Sequence, residues 1–357
     1  MTEVLHPRPN PIIAAMYTLR DLDADVIVVH GPAGCGFTQS RLLEEAGVRV
    51  VTTGMKECDL VFGAEEKLIS VLRTVDEQFS PQLIGVVGTC ASMIIGENLD
   101  SAVSEAGVRA TVLAVDSHGC LGANTEGAIK VLEAASRKGV ISAEEYRRQR
   151  SMLERATALE RERGMTSRSY LEPYRGATKL SVAKRIIDTL GSGGTVAVVL
   201  NAKKETAFRF ADMMRAVERA RSVVGGETLH IGNLDPQVGL TRIRGYAKAI
   251  LADLEEASVE VEHFTGGLDE YPVAGERASH LLGDRKVDLR VICGLPHALP
   301  DLQPGDVLVT DQPRELRNLL DQGFEMAVGE ISTHSALMGA SGIVPSETGD
   351  TIRELLG

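Results

Sequence analysis

The sequence predicts an α/β protein built from repeated Rossmann-like parallel-sheet domains with flanking helices. Short, β-branched apolar runs alternate with helical patterns along the 357 residues. Several of these runs end in glycine just before a helical pattern, which is the order of strand, tight turn and helix in a βα unit. Apolar residues make up 43% of the chain, which is enough to fill the cores of more than one such domain.

A first domain is expected over residues 1–140, followed by a helical linker over 141–176. A capping box at residues 142–145 opens a charge-rich helix that ends near residue 163. That helix fits a linking or dimer-contact role as well as a plainly solvated surface. The predicted strands of the first domain lie at 25–30, 48–52, 83–87 and 110–115, and a predicted helix lies at 123–135.

A second Rossmann-like domain is expected over residues 177–285. A smaller α/β unit over 286–357 either forms a third domain or closes the second. The predicted helices lie at 182–190 and 314–320, and the predicted strands at 195–200, 258–264, 288–293, 307–310 and 325–328.

The composition argues against several classes of function. A net charge of −12 and an aromatic content of 4% without tryptophan disfavour binding to nucleic acid. No apolar run approaches the ~20 residues of a membrane span and no signal-peptide core is present, so we expect a cytoplasmic protein. The glycine-rich segment 31–37 lacks the Gly-Lys-Ser/Thr of a phosphate loop, so we expect no nucleotide on this chain.

Two cysteines in matching positions are the strongest indication of function. Cys35 and Cys90 each follow a short apolar strand that ends in glycine, and each is expected to open a helix. The helix dipole favours the metal-binding thiolate there, and both positions fall at the edge where parallel sheets bind ligands. Free cysteines often just fill space, so two inert thiols are the alternative, and the lack of a secretory signal disfavours a disulfide.

Three segments around these cysteines resemble the catalytic components of nitrogenase-like enzymes. They read HGPAGCG at 30–36, DLVFGAEEKL at 59–68 and GTCASMIIGENL at 88–99. In those enzymes the cysteines that match Cys35 and Cys90 hold an iron–sulfur cluster at a subunit interface. The resemblance therefore implies a nitrogenase component 1-like fold and a metal-binding role for this pair.

Further segments resemble one branch of that group, the catalytic subunits of Ni-sirohydrochlorin a,c-diamide reductive cyclases. They read HPRPNPI at 6–12, YTLRDL at 17–22, NAKKET at 201–206, GLDEYPV at 267–273 and GLPHA at 294–298. The resemblance implies reduction of Ni-sirohydrochlorin a,c-diamide with closure of a γ-lactam ring, in the biosynthesis of the methanogenic coenzyme F430. It also implies a separate, ATP-hydrolysing, nitrogenase-reductase-like iron–sulfur protein as the electron donor.

The cofactor that the resemblance implies is a 4Fe-4S cluster. Related subunits usually supply a further cysteine upstream of the first motif, but this chain has none there. Because such a cluster commonly takes four thiolates, the simplest arrangement is a homodimer in which Cys35 and Cys90 of both copies bind one bridging cluster. Cys58 is the rival third ligand, or else an inert thiol, and Cys120 is interpreted as a spare thiol. The setting of Cys293 is less distinctive than those of Cys35 and Cys90.

Cations and histidines are the candidates for handling the substrate. The carboxylates of a tetrapyrrole need cationic partners, and a plain surface role is the commoner alternative for each candidate. Reduction also needs proton donors, which histidine supplies most easily, although each histidine also fits a structural role. The cationic candidates are Arg8, Lys203, Lys204 and Arg242, and the histidine candidates are His6, His118 and His297.

His30, directly before the first glycine motif, fits two roles. It either hydrogen-bonds the surroundings of the cluster or is a buried histidine satisfied by the backbone.

Three other interpretations of the whole chain remain open. The first is a nitrogenase-like reductase of a different tetrapyrrole or of a small molecule. The second is a non-catalytic scaffold that carries a metal cluster. The third is an ordinary doubly wound binding protein whose cysteines are unrelated to metal.

Overall fold

The computed structural model describes residues 10–119, 123–163, 171 and 176–357, and these residues form two compact units. The N-terminal unit comprises the described residues up to 154 together with 240–242, and the C-terminal unit comprises the others. Each unit is built on its own parallel sheet, so the predicted α/β class with flanking helices is confirmed. No helix within these ranges is both long and apolar enough to cross a lipid bilayer.

Four parallel strands form the sheet of the N-terminal unit. They are β1 (Val26–His30), β2 (Arg49–Thr52), β3 (Leu83–Gly88) and β4 (Thr111–Asp116). Their order in the sheet is β2-β1-β3-β4. Every residue of β1 and β3 is buried, as expected of central strands covered on both faces. Each strand lies within one residue of its predicted bounds.

Helices connect these strands and cover the sheet. They are α1 (Pro11–Asp21), α2 (Phe37–Glu45), α3 (Glu57–Phe62), α4 (Glu65–Phe79), α5 (Cys90–Ile94), α6 (Leu99–Ala106) and α7 (Asn124–Arg137). Asn10 caps α1, because its Oδ1 accepts the N–H of Ile13 at 3.0 Å. Side chains of α4 and α6, such as Leu68, Leu72 and Leu99, pack with the sheet in one apolar core.

The predicted charge-rich helix is present as α8 (Ala143–Arg163). It begins at the predicted cap, where Ser142 Oγ accepts the N–H of Glu145 at 3.0 Å. The division between the two units falls inside this helix, between residues 154 and 155. The rest of the predicted linker lies mostly outside the described residues.

Six parallel strands form the sheet of the C-terminal unit. They are β5 (Thr195–Asn201), β6 (Glu227–Gly232), β7 (His263–Phe264), β8 (Leu289–Gly294), β9 (Val307–Thr310) and β10 (Ala327–Gly329). Their order is β10-β9-β8-β5-β6-β7. The predicted third unit at 286–357 is therefore not separate, because its strands β8, β9 and β10 continue the sheet that β5 begins.

Two of the strand predictions in this unit differ from the structure. No strand was predicted at β6, and the strand predicted at 258–264 is reduced to the two residues of β7. Glu262 explains the second difference. Its carboxylate accepts the N–H of His230 in β6 at 2.7 Å, so a side chain takes the place of one hydrogen bond between the strands.

The helices of the C-terminal unit flank this sheet, and those predicted at 182–190 and 314–320 are present. They are α9 (Ala177–Gly191), α10 (Ala207–Phe210), α11 (Asp212–Val224), α12 (Thr241–Glu256), α13 (Tyr271–Gly283), α14 (Pro313–Asp321), α15 (His334–Leu337) and α16 (Glu347–Leu356). Short 3₁₀ turns at Lys204–Thr206 and Pro296–Ala298 follow β5 and β8.

Gly127 is a close-packing position between α1 and α7, and it provides a test of the fold. A Cβ there would lie 1.9 Å from the carbonyl oxygen of Pro11, so Gly127→Ala must push α1 away. We expect its thermal midpoint to fall, although alanine favours a helix. The matched control is Gly245→Ala in α12, where no atom lies within 4 Å of the new Cβ. Helix propensity should stabilise this control by about 1 kcal/mol.

Circular dichroism during heating measures both midpoints. A Gly127→Ala midpoint equal to or above that of Gly245→Ala would contradict the close contact of α1 with α7.

Candidate functional site

The carboxyl ends of β1 and β3 bring Cys35 and Cys90 to one edge of the N-terminal sheet. The two strands are adjacent, with His30 beside Gly88 in the register. Cys90 is the first residue of α5, as predicted, but Cys35 lies in a turn before α2. The expectation that Cys35 opens a helix is wrong, because Gly36 adopts a left-handed φ of 81° that delays the helix. Both cysteines are partly buried.

The loops that carry the two cysteines touch each other. A Cβ on Gly31 would lie 2.2 Å from Thr89 Oγ1, so only glycine fits there. The Thr89 hydroxyl donates a hydrogen bond to the carbonyl oxygen of His30 at 3.0 Å. The residue before Cys90 is thus fixed against the end of β1.

The loop after β4 adds polar contacts to the sulfur of Cys90. The backbone N–H of Gly119 donates to Cys90 Sγ at 3.1 Å, and His118 Nδ1 lies 3.6 Å from the same sulfur. Hydrogen bonds of this kind stabilise a thiolate, which is the form that binds metal. His118, a predicted proton donor, therefore lies next to a predicted metal ligand. We call the carboxyl ends of β1, β3 and β4 the cysteine edge.

His30 is fully buried at this edge and is held by side chains. Its Nδ1 lies 3.1 Å from Thr53 Oγ1, and its Nε2 contacts the carboxylate of Glu97. The other oxygen of Glu97 accepts the N–H of Ala64. His30 is therefore buried, as one of the two expected roles requires. Its ring contacts the side chains of Thr53 and Glu97 instead of backbone groups.

Asp116 and Ser117, at the end of β4, have buried oxygens without partners. Asp116 Oδ1 and Ser117 Oγ make no hydrogen bond within the described residues. Burial raises the pKa of Asp116, and nearby Lys130 partly opposes that rise. The floor of the cysteine edge thus contains an acid that burial biases toward its neutral form.

The remaining described cysteines have different surroundings. Cys58 is exposed on α3, after β2, whereas Cys293 is fully buried in β8. Burial raises the pKa of the Cys293 thiol far above its usual range, which fits an inert core residue. Cys120 lies outside the described residues. No group of three His, Cys, Asp or Glu side chains in the described ranges is arranged to hold a metal ion.

The helices α2, α3 and α5 carry exposed apolar side chains. Phe62 is 87% exposed and Ile94 is 78% exposed, which is unusual for residues of this size. Apolar surface that remains exposed beside a candidate site is typical of a protein interface. We call this set the apolar rim, and it consists of Phe37, Leu60, Val61, Phe62, Met93 and Ile94.

The C-terminal sheet has its own carboxyl edge, at the point where the strand order reverses. The chain proceeds from β5 to β6 and β7 on one side, and β8, β9 and β10 lie on the other side. Open parallel sheets bind ligands in the crevice at such a point. The loop after β5 carries Lys203 and Lys204, and the loop after β8 carries His297. We call the segments 201–206, 267–273 and 294–298 the switch edge.

Two asparagines fasten the switch edge. Asn233, after β6, accepts the N–H of Ala202 at 3.1 Å and donates to the carbonyl oxygens of Ala202 at 2.7 Å and Gly267 at 3.3 Å. Asn201 donates to the carbonyl oxygen of Tyr271 at 3.1 Å. The backbone N–H of Leu295 donates to the carbonyl oxygen of Asn201 at 2.9 Å. Three of the segments that carry the resemblance, far apart in sequence, therefore meet at one place.

The two lysines differ in their surroundings. Lys203 Nζ lies 5.8 Å from the ring centroid of Tyr271, a cation–π contact. Although part of Lys203 is exposed, desolvation of its ammonium lowers its pKa, and neighbouring Lys204 lowers it further. Lys204 has a left-handed φ of 51°, a strained backbone conformation of the kind that concentrates at functional sites.

His297 is buried among acidic side chains. Its Nδ1 lies 2.7 Å from Glu315 Oε1, and its backbone N–H donates to the same oxygen at 2.8 Å. Its Nε2 lies 3.4 Å from Glu160 Oε1, within ion-pair distance but without a well-formed hydrogen bond. Burial opposes a charge on the ring, but the two carboxylates outweigh it and raise the pKa of His297 to about 9.

Arg242, His6 and Arg8 are the other predicted substrate residues. Arg242 belongs to the N-terminal unit, where its guanidinium donates to Asp23 Oδ1 at 2.8 Å and to the carbonyl oxygen of Ala46 at 2.6 Å. His6 and Arg8 lie outside the described residues. The roles of all three stay predictions.

The family of the chain follows from its sequence matches. The model of the nitrogenase component 1 type oxidoreductases matches residues 11–219, which is more than half of the chain and includes the cysteine edge. The chain belongs to this family.

Relatives that match almost end to end define the branch more closely. Component CfbD of the Ni-sirohydrochlorin a,c-diamide reductive cyclase complex of Methanothermobacter thermautotrophicus is 50% identical over 353 residues, covering 98% of both chains. CfbD of Methanosarcina acetivorans is 44% identical, covering 99% of this chain and 97% of its own. CfbD of Methanocaldococcus jannaschii is 40% identical, covering 98% of both. These matches confirm both resemblances that the motifs indicated.

The stability of the protein should fall as the pH rises from about 6.5 to about 9. In that range the unfolded chain releases the proton of His297 while the folded chain keeps it, so folding is favoured most at the lower pH. The loss should approach but not exceed about 1.4 kcal/mol per pH unit, the limit for one proton. Urea denaturation at several pH values measures it.

His297→Gln should flatten this dependence, and His280→Gln, at an exposed position of α13, should leave it unchanged. An equal slope in wild type and His297→Gln would show that His297 holds no proton above its ordinary pKa.

Proposed function

We propose that this protein is the catalytic subunit of a reductive cyclase that reduces Ni-sirohydrochlorin a,c-diamide and closes its γ-lactam ring, in the biosynthesis of coenzyme F430. The observation that carries the proposal is the near-complete match to three CfbD components, at up to 50% identity. The family adds the general chemistry of a nitrogenase-like oxidoreductase.

We further propose that Cys35 and Cys90 bind half of a 4Fe-4S cluster, and that a second copy of the chain supplies the other half. Both are thiols at one sheet edge, and Cys90 Sγ already accepts a backbone N–H, so this donor set fits an iron–sulfur cluster. When bound, such a cluster accepts and releases single electrons. The apolar rim beside the cysteines gives the homodimer a surface to bury.

The electrons are proposed to come from a separate, nitrogenase-reductase-like iron–sulfur protein that hydrolyses ATP. The loop after β1 carries a cysteine and no phosphate-loop lysine, which supports nucleotide hydrolysis by a partner rather than by this chain.

The substrate carboxylates are proposed to bind cationic side chains. Lys203 and Lys204 are the best placed of them, because they lie at the switch edge, where parallel sheets bind ligands. Arg242 would have to leave Asp23 to take part. Arg8 stays a candidate on sequence grounds, as do His6, His118 and His297 for proton donation.

The test of the function is turnover in the absence of oxygen. Wild-type protein with the reductase, ATP and a reductant should convert Ni-sirohydrochlorin a,c-diamide to the γ-lactam product. Cys35→Ala and Cys90→Ala should lose the visible absorbance of the cluster and all turnover, because each removes two of the thiolates of a symmetric site. Cys58→Ala is the matched control and should keep both.

Different failures of this experiment have different meanings. A cluster that survives Cys35→Ala or Cys90→Ala would refute the ligand assignment. A wild-type protein that binds the cluster but only passes it to other proteins would be a scaffold instead of a cyclase.

The apolar rim should mediate the dimer. Phe62→Asp places a charge at a side chain that is 87% exposed, so each copy should still fold while the interface is lost. We expect a dimer for wild type and a colourless monomer for the variant, measured by light scattering coupled to gel filtration. Val223→Asp, at a 49% exposed position of α11, is the control and should stay dimeric. A dimeric, coloured Phe62→Asp would show that the interface lies elsewhere.

A further inference from the structure

His297 and the acidic side chains around it form a connected series in the C-terminal unit, which we call the His297 network. Glu315 is fully buried and contacts His297 Nδ1 at 2.7 Å, and it also accepts the hydroxyl of Thr310 at 2.5 Å. On the other side, Glu160 Oε1 lies 3.4 Å from His297 Nε2 and 3.4 Å from the hydroxyl of Tyr271. The His297 network therefore runs from Glu315 through His297 to Glu160, and Tyr271 lies beside Glu160.

The charges of the His297 network favour the protonated, imidazolium form of the His297 ring. Glu315 from α14 and Glu160 from α8 face the two ring nitrogens, so the imidazolium is stabilised from both sides. Tyr271 from α13 stays protonated, because burial and the nearby carboxylates raise its pKa well above its usual range. Lys203 stands over the Tyr271 ring. Tyr271 thus donates a hydrogen bond to Glu160 and does not compete for the proton.

The His297 network has a buried end and a partly exposed end. His297 and Glu315 are buried, whereas the Glu160 side chain is 28% exposed. A groove of about 240 Å³ in the same unit is lined by residues that include Leu159, Pro272 and Ala298. These residues are the direct sequence neighbours of Glu160, Tyr271 and His297. The partly exposed carboxylate of Glu160 is therefore the point at which a proton held on His297 can reach solvent or a ligand.

We propose that His297 is the proton reservoir of a relay that delivers protons through Glu160 to the tetrapyrrole as it is reduced. In the step, the Nε2–H bond of the imidazolium breaks, the proton passes to a Glu160 carboxylate oxygen and from there to the substrate. The ring is left neutral and takes its next proton from water. No electron moves in this step, because the reductase supplies the electrons. This inference rests on the proposed function.

A second His–Glu pair in the same unit, with a buried histidine and a partly buried glutamate, provides the comparison. His230 Nε2 in β6 lies 3.4 Å from Glu218 Oε2 in α11. Glu218 is also bound by Arg221 and by the hydroxyl of Thr228 at 2.7 Å, so it has its own structural partners. His230 lies on a strand rather than at the switch edge. It is a structural pair, and Glu218→Gln is a control for the loss of a histidine-bound carboxylate outside the switch edge.

The test compares wild type, His297→Gln, Glu315→Gln and Glu218→Gln as anaerobic holoproteins. Each is mixed with the reductase, ATP, reductant and Ni-sirohydrochlorin a,c-diamide, and its turnover rate is measured from pH 6 to 10. General acid catalysis typically contributes a factor of about 10² to 10⁴, so His297→Gln should be slowed at least tenfold. Wild-type turnover should decline above a pH of about 9, as the reservoir empties.

Glu315→Gln removes the carboxylate beside Nδ1, so it should move this decline to lower pH. Glu218→Gln should keep the wild-type rate and profile. The electron paramagnetic resonance signal of the reduced cluster should be equal in all four proteins, which shows that electron delivery is intact. A side chain with only a structural role would not shift the decline.

Two outcomes would overturn the relay, and they are distinguishable. Wild-type rates and profiles in both His297→Gln and Glu315→Gln would refute the relay while the proposed function stands. A wild type with no turnover under any of these conditions would refute the proposed function and the relay with it.

Discussion

The cysteine edge depends on the contact between Gly31 and Thr89. The loops after β1 and β3 cross so closely that a single Cβ at residue 31 would lie 2.2 Å from Thr89 Oγ1. The same threonine donates to the carbonyl oxygen at the end of β1, which is a group that the strand itself leaves unpaired. One side chain therefore sets the spacing of two loops, and each loop delivers one cysteine.

The central strands of the N-terminal sheet, β1 and β3, could be predicted from sequence because they are buried on both faces. Such strands are continuous apolar runs with sharp ends, so the bounds of β1 and β3 were found within one residue. The turn at Cys35 was harder, since the helix start depends on the left-handed conformation of Gly36. The contact between His30 and Glu97 joins residues far apart in the chain, and no local pattern marks it.

The C-terminal sheet shows where sequence patterns fail. β6 contains glutamate, threonine and histidine, and it is buried in part because Glu218 pairs with its histidine, which a pattern of apolar residues does not reveal. The segment before β7 alternates between apolar and polar residues like a strand, but it lies at the sheet edge. There the Glu262 carboxylate takes the place of one backbone acceptor. His297 could be named from its loop position, whereas its carboxylate partners, Glu160 and Glu315, come from helices that only the fold brings together.

The two sheet edges differ in the side-chain chemistry that they offer a ligand. The cysteine edge offers soft sulfur donors and a backbone N–H, which stabilise thiolate and metal. The switch edge offers nitrogen and oxygen groups instead. There two carboxylates keep the buried imidazole of His297 charged near neutral pH. A partly buried acid, Asp116, also lies at the cysteine edge, so the two edges differ mainly in the sulfur donors of one and the charged imidazole of the other. Because each edge is built from the loops of its own sheet, different segments of the sequence determine the chemistry of each edge.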